Sequence, residues 1–526
     1  MNSRIIIDNI RVSLSADDKD AVAIAEKKLK SAKIPYVEGS LHIHKKSVDA
    51  RRKNNITFVY SVTGISEADP KTIPTAAGIR VAPDEKLTFG CGTEQMKGRP
   101  YIVGFGPAGL FCGLILAMHG LRPVILERGS EVNERVRKID NFYKTGILDT
   151  ETNIQFGAGG AGTFSDGKLV TRIGDARISY VLEKLFELGA PENILWNAKP
   201  HIGTDVLRTV ISNAADEIVR LGGEIKYNTK AESVGDGYIK VSGDRIPCGL
   251  VVLAPGHSSR DTYSDLLNNG YSVEVKPFSI GVRVEHLQNE IDRSMYGDEA
   301  LSSKLGHAEY QLSLRKGERG VYTFCMCPGG EVVAAASEEC GVVTNGMSRH
   351  ARDGKNANAA VAVSVLPSDF SGNPYGAISF QRELERAAFI AGGRTYAAPC
   401  QSIGAFYSGK EGGFGSRIIP SYMNSNVKAS DFNKLLPDLA VDLLKDGFVA
   451  FGKKINGYDA EDVPLTGIET RTSAPLRILR DERLVALGHD RVYPCGEGAG
   501  YAGGITSAAV DGIRVAEAIL SRFKRD

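Results

Sequence analysis

Near the N-terminus, "RIIIDNIRVSL" alternates apolar and polar positions as a half-buried strand does. "DDKDAVAIAEKKLKSAKI" then spaces its Ala, Ile and Leu at helical intervals behind an aspartate-rich start. "LHIHKKSVDARRKNNITFVYSVTGI" predicts two more strands around a basic, Asn-containing connection. "SEADPKTIPTAAGIRVAPDEK" is rich in Pro, Gly and charge and reads as a linker. From Tyr101 the pattern becomes βαβ: strand "YIVGF", a glycine turn, the apolar helix "AGLFCGLILAMHG" ending at Gly120, and strand "RPVILE". In "TDVLRTVISNAADEIVRLGG", Leu207, Val210, Ile211, Ala214, Ile218 and Leu221 form one helical stripe. Thr204 is its expected N-cap and Gly222-Gly223 its stop. "EIKYNT" is the next strand. Asp236-Gly237 and Gly243-Asp244 turn a hairpin, and the uniformly apolar "GLVVLAPG" reads as a buried strand.

Beyond residue 276 the elements shorten. "PFSIGVRVEH", "YTFCMCPGGEVVAAAS" and "NAAVAVSVL" predict strands, while "QRELERAAFIAG" and "ASDFNKLLPDLAVDLLKDGF" predict helices. "DRVYPCGEGAGYAGGITSAAVDGIRVAEAIL" then returns to strand, glycine turn and helix. The expected division is a small α+β, ferredoxin-like module over 1–95, a doubly used α/β domain over 96–276 and 466–526, and an inserted, mostly-β α+β cap over 277–465.

At 526 residues the chain is too long for one core, which agrees with that division. Lys and Arg number 64 against 63 Asp and Glu, so no overall basic field calls for nucleic acid or an anionic membrane. The first residues fail as a signal peptide because Asp8, Asn9 and Arg11 break the apolar stretch. No apolar run approaches the roughly 20 residues of a membrane span. The expected address is the cytoplasm. The eight cysteines are scattered and lack zinc or C-x-x-C spacing, so no metal site is expected. The close pair Cys325 and Cys327 reads as core of a strand. Lys45, Lys46, Arg51, Arg52 and Lys53 form a local basic cluster, either a solvated rim facing the next domain or a polyanion-binding surface.

Gly104-x-Gly106-x-x-Gly109 lies between a strand and a helix, the context that gives this pattern meaning. The first glycine permits the turn, the second admits a pyrophosphate to the backbone, and the third packs helix on strand. Pro107 and Ala108 open the helix, whose N–H groups face the phosphates. Glu127, about 20 residues on and followed by Arg128, is placed to accept ribose hydroxyls and to repel a 2′-phosphate. NAD and FAD share this half-site. The distal stretch decides between them: Gly496, Glu497, Gly498, Gly500, Gly503 and Gly504 form a second backbone cradle, which an extended FAD needs and a bound NAD does not. A third stretch, "NIQFGAGGAGTFSDGKL", offers Gly157, Gly159, Gly160 and Gly162 to a flat ring, with Thr163 or Ser165 adding a hydroxyl, and Ala254-Pro255-Gly256 ends a strand with room for close approach. His257 reads as a loop histidine or as an acid–base group.

Together these motifs resemble the glutathione-reductase-like FAD/NAD(P)-binding superfamily. More closely, the chain resembles a bacterial group of FAD-dependent, NAD-utilising-dehydrogenase-like proteins, through "VGFGPAGLF", "VILERG", "FGAGGAGTFSDGKL", "VLAPGHSSRD", "FSIGVRVEH", "CMCPGGEVV", "TNGMSRH", "APCQSIG", "ETRTSAP" and "CGEGAGYAGGITSAAVDG". The resemblance implies a Rossmann-like FAD-binding domain with a three-layer, mainly parallel sheet. It also implies that Gly160, Ala161, Gly162 and Thr163 line the flavin, that Gly496, Glu497, Gly504 and Ile505 hold ribityl and ring, and that the backbone at Ala231 meets the adenine, although the group usually has a larger aliphatic there. The group has no second dinucleotide fingerprint and neither does this chain, so NAD(P)H would visit the flavin transiently.

The expectation is an FAD-dependent oxidoreductase that moves hydride between flavin N5 and a small-molecule substrate. Arg471 in "ETRTSAP" and Tyr501 are candidate substrate contacts, with a structural ion pair as the other reading of Arg471. No catalytic residue is singled out, and the oligomeric state is left open. Two other readings are a flavin-containing RNA-modifying or RNA-binding protein docked through the basic module, and a non-catalytic flavin sensor.

Overall fold

The structure, a computed structural model, describes residues 2–53, 55–73, 78–82 and 87–524. The N-terminal strands run antiparallel in the spatial order His42–Asp49, Thr57–Ser66, Ser3–Ser13, Ile79–Val81. Helix Asp18–Ser31 buries Ala21, Ala25 and Leu29 against them, and Asp17 with Asp20 forms a capping box at its start. One expectation is corrected here. The stretch read as linker supplies the fourth strand, since Ile79–Val81 pairs with Ile5–Ile7; its residues 74–77 and 83–86 lie outside the described residues. Between the third and fourth strands in chain order the described residues hold a 3₁₀ turn, Pro70–Thr72. The end of the 1–95 span leaves this sheet. Gly92 and Glu94 donate their N–H groups to the Leu520 and Arg522 carbonyls of the C-terminal segment.

Five parallel strands form the second sheet, in the order Val492–Pro494, Leu250–Leu253, Pro100–Val103, Val124–Leu126, Glu224–Lys226. Successive side chains point to opposite faces. Ile102, Ile125 and Val252 therefore meet helices Pro107–Met118, Thr204–Arg220 and Ile505–Arg522, while Val103, Val124, Leu126, Val251 and Leu253 meet a three-stranded antiparallel sheet of residues 233–247. Burial on both faces explains why these strands read as unbroken apolar runs. From Pro100–Val103 the chain first builds to one side, through Val124–Leu126, and later to the other, through Leu250–Leu253. Ligands of such sheets sit beyond the carboxyl ends of the strands at that reversal.

The expected N-cap Thr204 is displaced by one position: Gly203 caps the helix, and the Thr204 hydroxyl donates to the Thr163 carbonyl at 2.8 Å. That tie fastens the helix to the third glycine stretch.

Residues 278–469 contribute a seven-stranded sheet in the order Ser313–Lys316, Arg319–Cys327, Asn356–Val365, Phe278–Leu287, Pro464–Glu469, Ala398–Ser402, Val427–Ala429, antiparallel except for its last pair. Pro328-Gly329-Gly330 splits the run "YTFCMCPGGEVVAAAS" into two strands, and Pro437 splits the expected helix into Phe432–Leu435 and Asp438–Gly452. Among the described residues, no helix is long and apolar enough to cross a membrane.

Helices Pro107–Met118 and Ile505–Arg522 touch backbone to backbone, because a Cβ at Gly512 would stand 2.3 Å from the Ala108 carbonyl oxygen. Gly512→Ala must force these helices apart, and we expect it to lower stability by about 1–3 kcal/mol. Thermal unfolding measures this; an unchanged transition would contradict the packing described.

Candidate functional site

A cavity of about 1300 Å³ opens at the reversal of the parallel sheet, between that sheet and the seven-stranded one. Its floor is the first glycine turn. Gly104 has φ 97°, and a Cβ there would lie 2.3 Å from the Ala254 oxygen, so the ends of two adjacent strands meet at this residue. Gly106, Pro107 and Ala108 line the cavity. Gly109 does not; its Cβ position lies 2.0 Å from the Gly104 oxygen, which makes it the packing residue of the motif.

Glu127 is buried at the cavity edge. One oxygen accepts the Phe105 N–H, the other those of Gly129 and Gly157, each at 2.9 Å. A carboxylate offers about four lone-pair sites, so one remains for the expected ribose hydroxyl. Arg128, also on the wall, is taken up by Glu151 and Asp261 and stacks 4.2 Å over the Phe156 ring. It shapes this end of the cavity, near Ala231, more than it offers a free charge.

The third glycine stretch forms the facing wall through Gly160, Ala161 and Gly162. Thr163 turns inward instead, its hydroxyl donating to Ala158. A residue the sequence reading missed holds this loop. Arg135 is fully buried and donates to five carbonyls, those of Asn153, Ile154, Gly157, Ala158 and Gly160. Its place as a lone cation on the apolar stripe of helix Val132–Thr145 was the available signal.

The distal cradle closes the far end. Gly503 and Gly504 line the cavity, and a Cβ at either would meet nothing within 4 Å, so the chain before helix Ile505–Arg522 faces open space. Ile505 and Tyr501 also line it; the Tyr501 hydroxyl is bonded to the Ile478 carbonyl and the Arg480 N–H. Gly496 lies behind the wall, with its N–H on Asp511. Ala254 and Gly256 line the cavity, as does Glu497. No described residue donates a hydrogen bond to the Glu497 carboxylate; burial raises its pKa to about 7, with Lys276 opposing. An acceptor without a donor suits a polyhydroxylated chain. His257 is hydrogen-bonded to Ser258 at 2.9 Å, and burial followed by the Arg471 and Arg260 charges lowers it to about 3, so it stays neutral.

Arg471 lines the cavity but is already paired: it donates to Glu385 at 2.8 and 3.1 Å and to the Ser337 hydroxyl. The ion-pair reading describes it. The roof comes from the seven-stranded sheet, through Tyr322, Phe324, Cys325 and Glu469, with Tyr310 from the segment before it and Asn345 from strand Thr344–Met347 of a separate two-stranded sheet. Sequence reasoning missed these because strands distant in the chain assemble them. One signal existed, a charge in the middle of "FSIGVRV": Arg283 is fully buried and pairs with Glu469 at 3.0 and 3.1 Å.

At about 1300 Å³ and lined by glycine-rich backbone from two places about 400 residues apart, the cavity has room for an extended dinucleotide. Residues 277–472 match the family described as FAD-dependent protein, C-terminal domain-like. Over 529 aligned residues the chain is 46% identical to an uncharacterized protein of Clostridium beijerinckii, covering 98% of both. The chain belongs to one family with this relative, and its residues 277–472 carry the C-terminal domain of FAD-dependent proteins, which makes FAD its cofactor. Among solved structures it is similar to halogenase PltM, at 12% identity over 81% of this chain and 71% of that one with TM-score 0.35, and to CtdE in complex with FAD, at 13% over 81% and 84% with TM-score 0.32. These likenesses are too distant to specify a reaction.

The Glu497 carboxylate carries a testable pH signature in flavin-free protein. Its folded pKa of about 7 stands above the ordinary 4.5, so stability is fully present below pH 4.5 and is lost as pH rises to about 7. We expect Glu497→Gln to flatten that decline. Urea midpoints at about pH 5 and about pH 8 measure it, and equal drops in both proteins would refute the assignment.

Proposed function

We propose that this protein transfers hydride between FAD and a small-molecule substrate held under the seven-stranded sheet, with NAD(P)H as a transient donor, as in the NAD-utilising-dehydrogenase-like group it resembles. The observation that carries the reading is the single cavity, lined at once by Gly106, Gly160, Gly504 and the roof residues Tyr322 and Phe324. Bound FAD supplies a hydride acceptor and donor at its N5. In this reading Gly104, Gly106, Pro107 and Ala108 take the pyrophosphate, Glu127 takes the ribose, and Ala231 lies beside the adenine. Gly160, Ala161, Gly162, Ala254 and Gly256 flank the ring system. Glu497 accepts the ribityl hydroxyls, while Gly503, Gly504 and Ile505 set the positive end of the last helix against the pyrimidine edge. The roof excludes water from the reacting face, which hydride transfer needs more than a titrating side chain. Arg471 and Tyr501 support the substrate end by holding Glu385 and the Ile478 strand in place.

The basic-module alternative has less support. Lys46 pairs with Asp18 and Arg51 with Asp49, and the Lys46 backbone is bonded to Trp196 and Ala198 of the neighbouring chain segment.

Anaerobic titration with NADH and with NADPH tests the proposal: one of them should bleach the bound flavin's visible band, and failure of both would overturn NAD(P)H as donor. Glu127→Gln sets amide hydrogens against backbone N–H groups, and we expect flavin to bind about tenfold or more weakly, measured by fluorescence titration.

A further inference from the structure

The geometry points to a second redox centre in the roof: we propose that Cys325 and Cys327 are a dithiol–disulfide pair that exchanges two electrons with the flavin. This inference rests on the flavin lying under the roof as described above.

Strand Arg319–Cys327 pairs regularly with Asn356–Val365 from Val321↔Val363 to Phe324↔Ala360, and the register then slips before Cys327. Such a bulge re-aims a side chain. Here Cys325 takes a left-handed backbone, φ 44°, that a residue with a Cβ rarely adopts. Cys325 lines the cavity wall with Phe324 and Met326. Cys327, fully buried, folds back over the same peptide, its sulfur donating to the Cys325 carbonyl at 3.3 Å. Two cations grip the segment: Arg283 donates to the Cys325 carbonyl at 3.0 Å, and Lys168 donates to that of Met326.

These surroundings suit a nucleophilic sulfur. The Cys327 thiol, and beyond the opposing effect of burial the Arg283 and Lys168 charges, hold the Cys325 thiol below its ordinary pKa, while Cys327 is raised. The thiolate is the reactive form, and a cationic, partly accessible setting is where reactive cysteines are found. A structural cysteine needs neither a wall position nor a left-handed backbone.

The balance is closed by the cofactor. Oxidation breaks two S–H bonds and forms one S–S bond; the two electrons and two protons released convert FAD to FADH2. The reverse step reduces the disulfide with reduced flavin. Thiol–disulfide exchange of this kind is a two-electron couple, so the pair doubles the number of electrons the protein stores per flavin.

Reductive titration of the air-oxidised, FAD-loaded protein with dithionite reads this directly. Native protein should take up about twice the reducing equivalents per flavin of Cys325→Ser or Cys327→Ser. Mass spectrometry of the alkylated peptide spanning both residues should find the two thiols blocked before reduction and free after it. Cys325 stands at the wall, outside the core, so Cys325→Ser carries the test even where Cys327→Ser does not fold. Equal uptake in native and variant proteins, with both cysteines alkylated in the oxidised state, overturns the dithiol and leaves the flavin reading standing. A protein that binds no flavin overturns both.

Discussion

Three glycine-rich loops converge on one cavity, and neighbouring strands and helices pair only part of their backbone, as Leu126 does for Gly104. Buried N–H and C=O groups must still be paired. Glu127 and Arg135 do this from opposite signs: the acid accepts N–H groups from Phe105, Gly129 and Gly157, and the arginine donates to carbonyls from Asn153 to Gly160. Gly157 is held by both, its N–H on Glu127 and its C=O on Arg135. The cradle is therefore rigid without any ligand. Burial lowers the Arg135 pKa to about 9, with the Glu127 charge in its favour and Arg208 opposing, so the guanidinium is held mainly by neutral carbonyls and remains charged at neutral pH.

A second set of buried charges fixes the two sheets against each other. Glu385, on helix Pro374–Ala391 of the roof, is clasped by Arg260 from the parallel-sheet side and by Arg471 on the returning chain. Removing two guanidiniums and a carboxylate from water is costly, and excellent geometry is what offsets it. Arg283 with Glu469 does the same inside the roof sheet, adding bonds to Asn345 and Asn358. Such pairs add little net stability against a well-packed apolar core. Their angular demands fix the position of the roof over the cavity to within hydrogen-bonding tolerance.

Cavity chemistry follows from this frame. Charges near the wall are mostly spoken for: Arg128 by Glu151 and Asp261, Arg471 by Glu385, and Asp166 by Arg352 and Lys168. Glu497 stands apart, a carboxylate that no described residue satisfies, at the end where the last helix begins.

Local rules made the glycine turns, Glu127, the βαβ unit and the long strand Phe278–Leu287 legible, because turn chemistry and side-chain periodicity act within a few residues. The same rules misplaced the Thr204 cap by one residue and read strand Ile79–Val81 as linker, since a three-residue strand takes its stability from Ile5–Ile7 at the far end of the module. Arg135 and Arg283 each stood out as a charge inside an apolar pattern, but their partners, like Glu385 and the Cys325 bulge, were beyond sequence reading. Those partners lie from about 20 to almost 200 positions away, and local periodicity does not name them. The sequence by itself determined which nucleotide class the backbone can cradle. Only the tertiary structure decided what faces it, because the roof is an assembly of strands that local periodicity does not order.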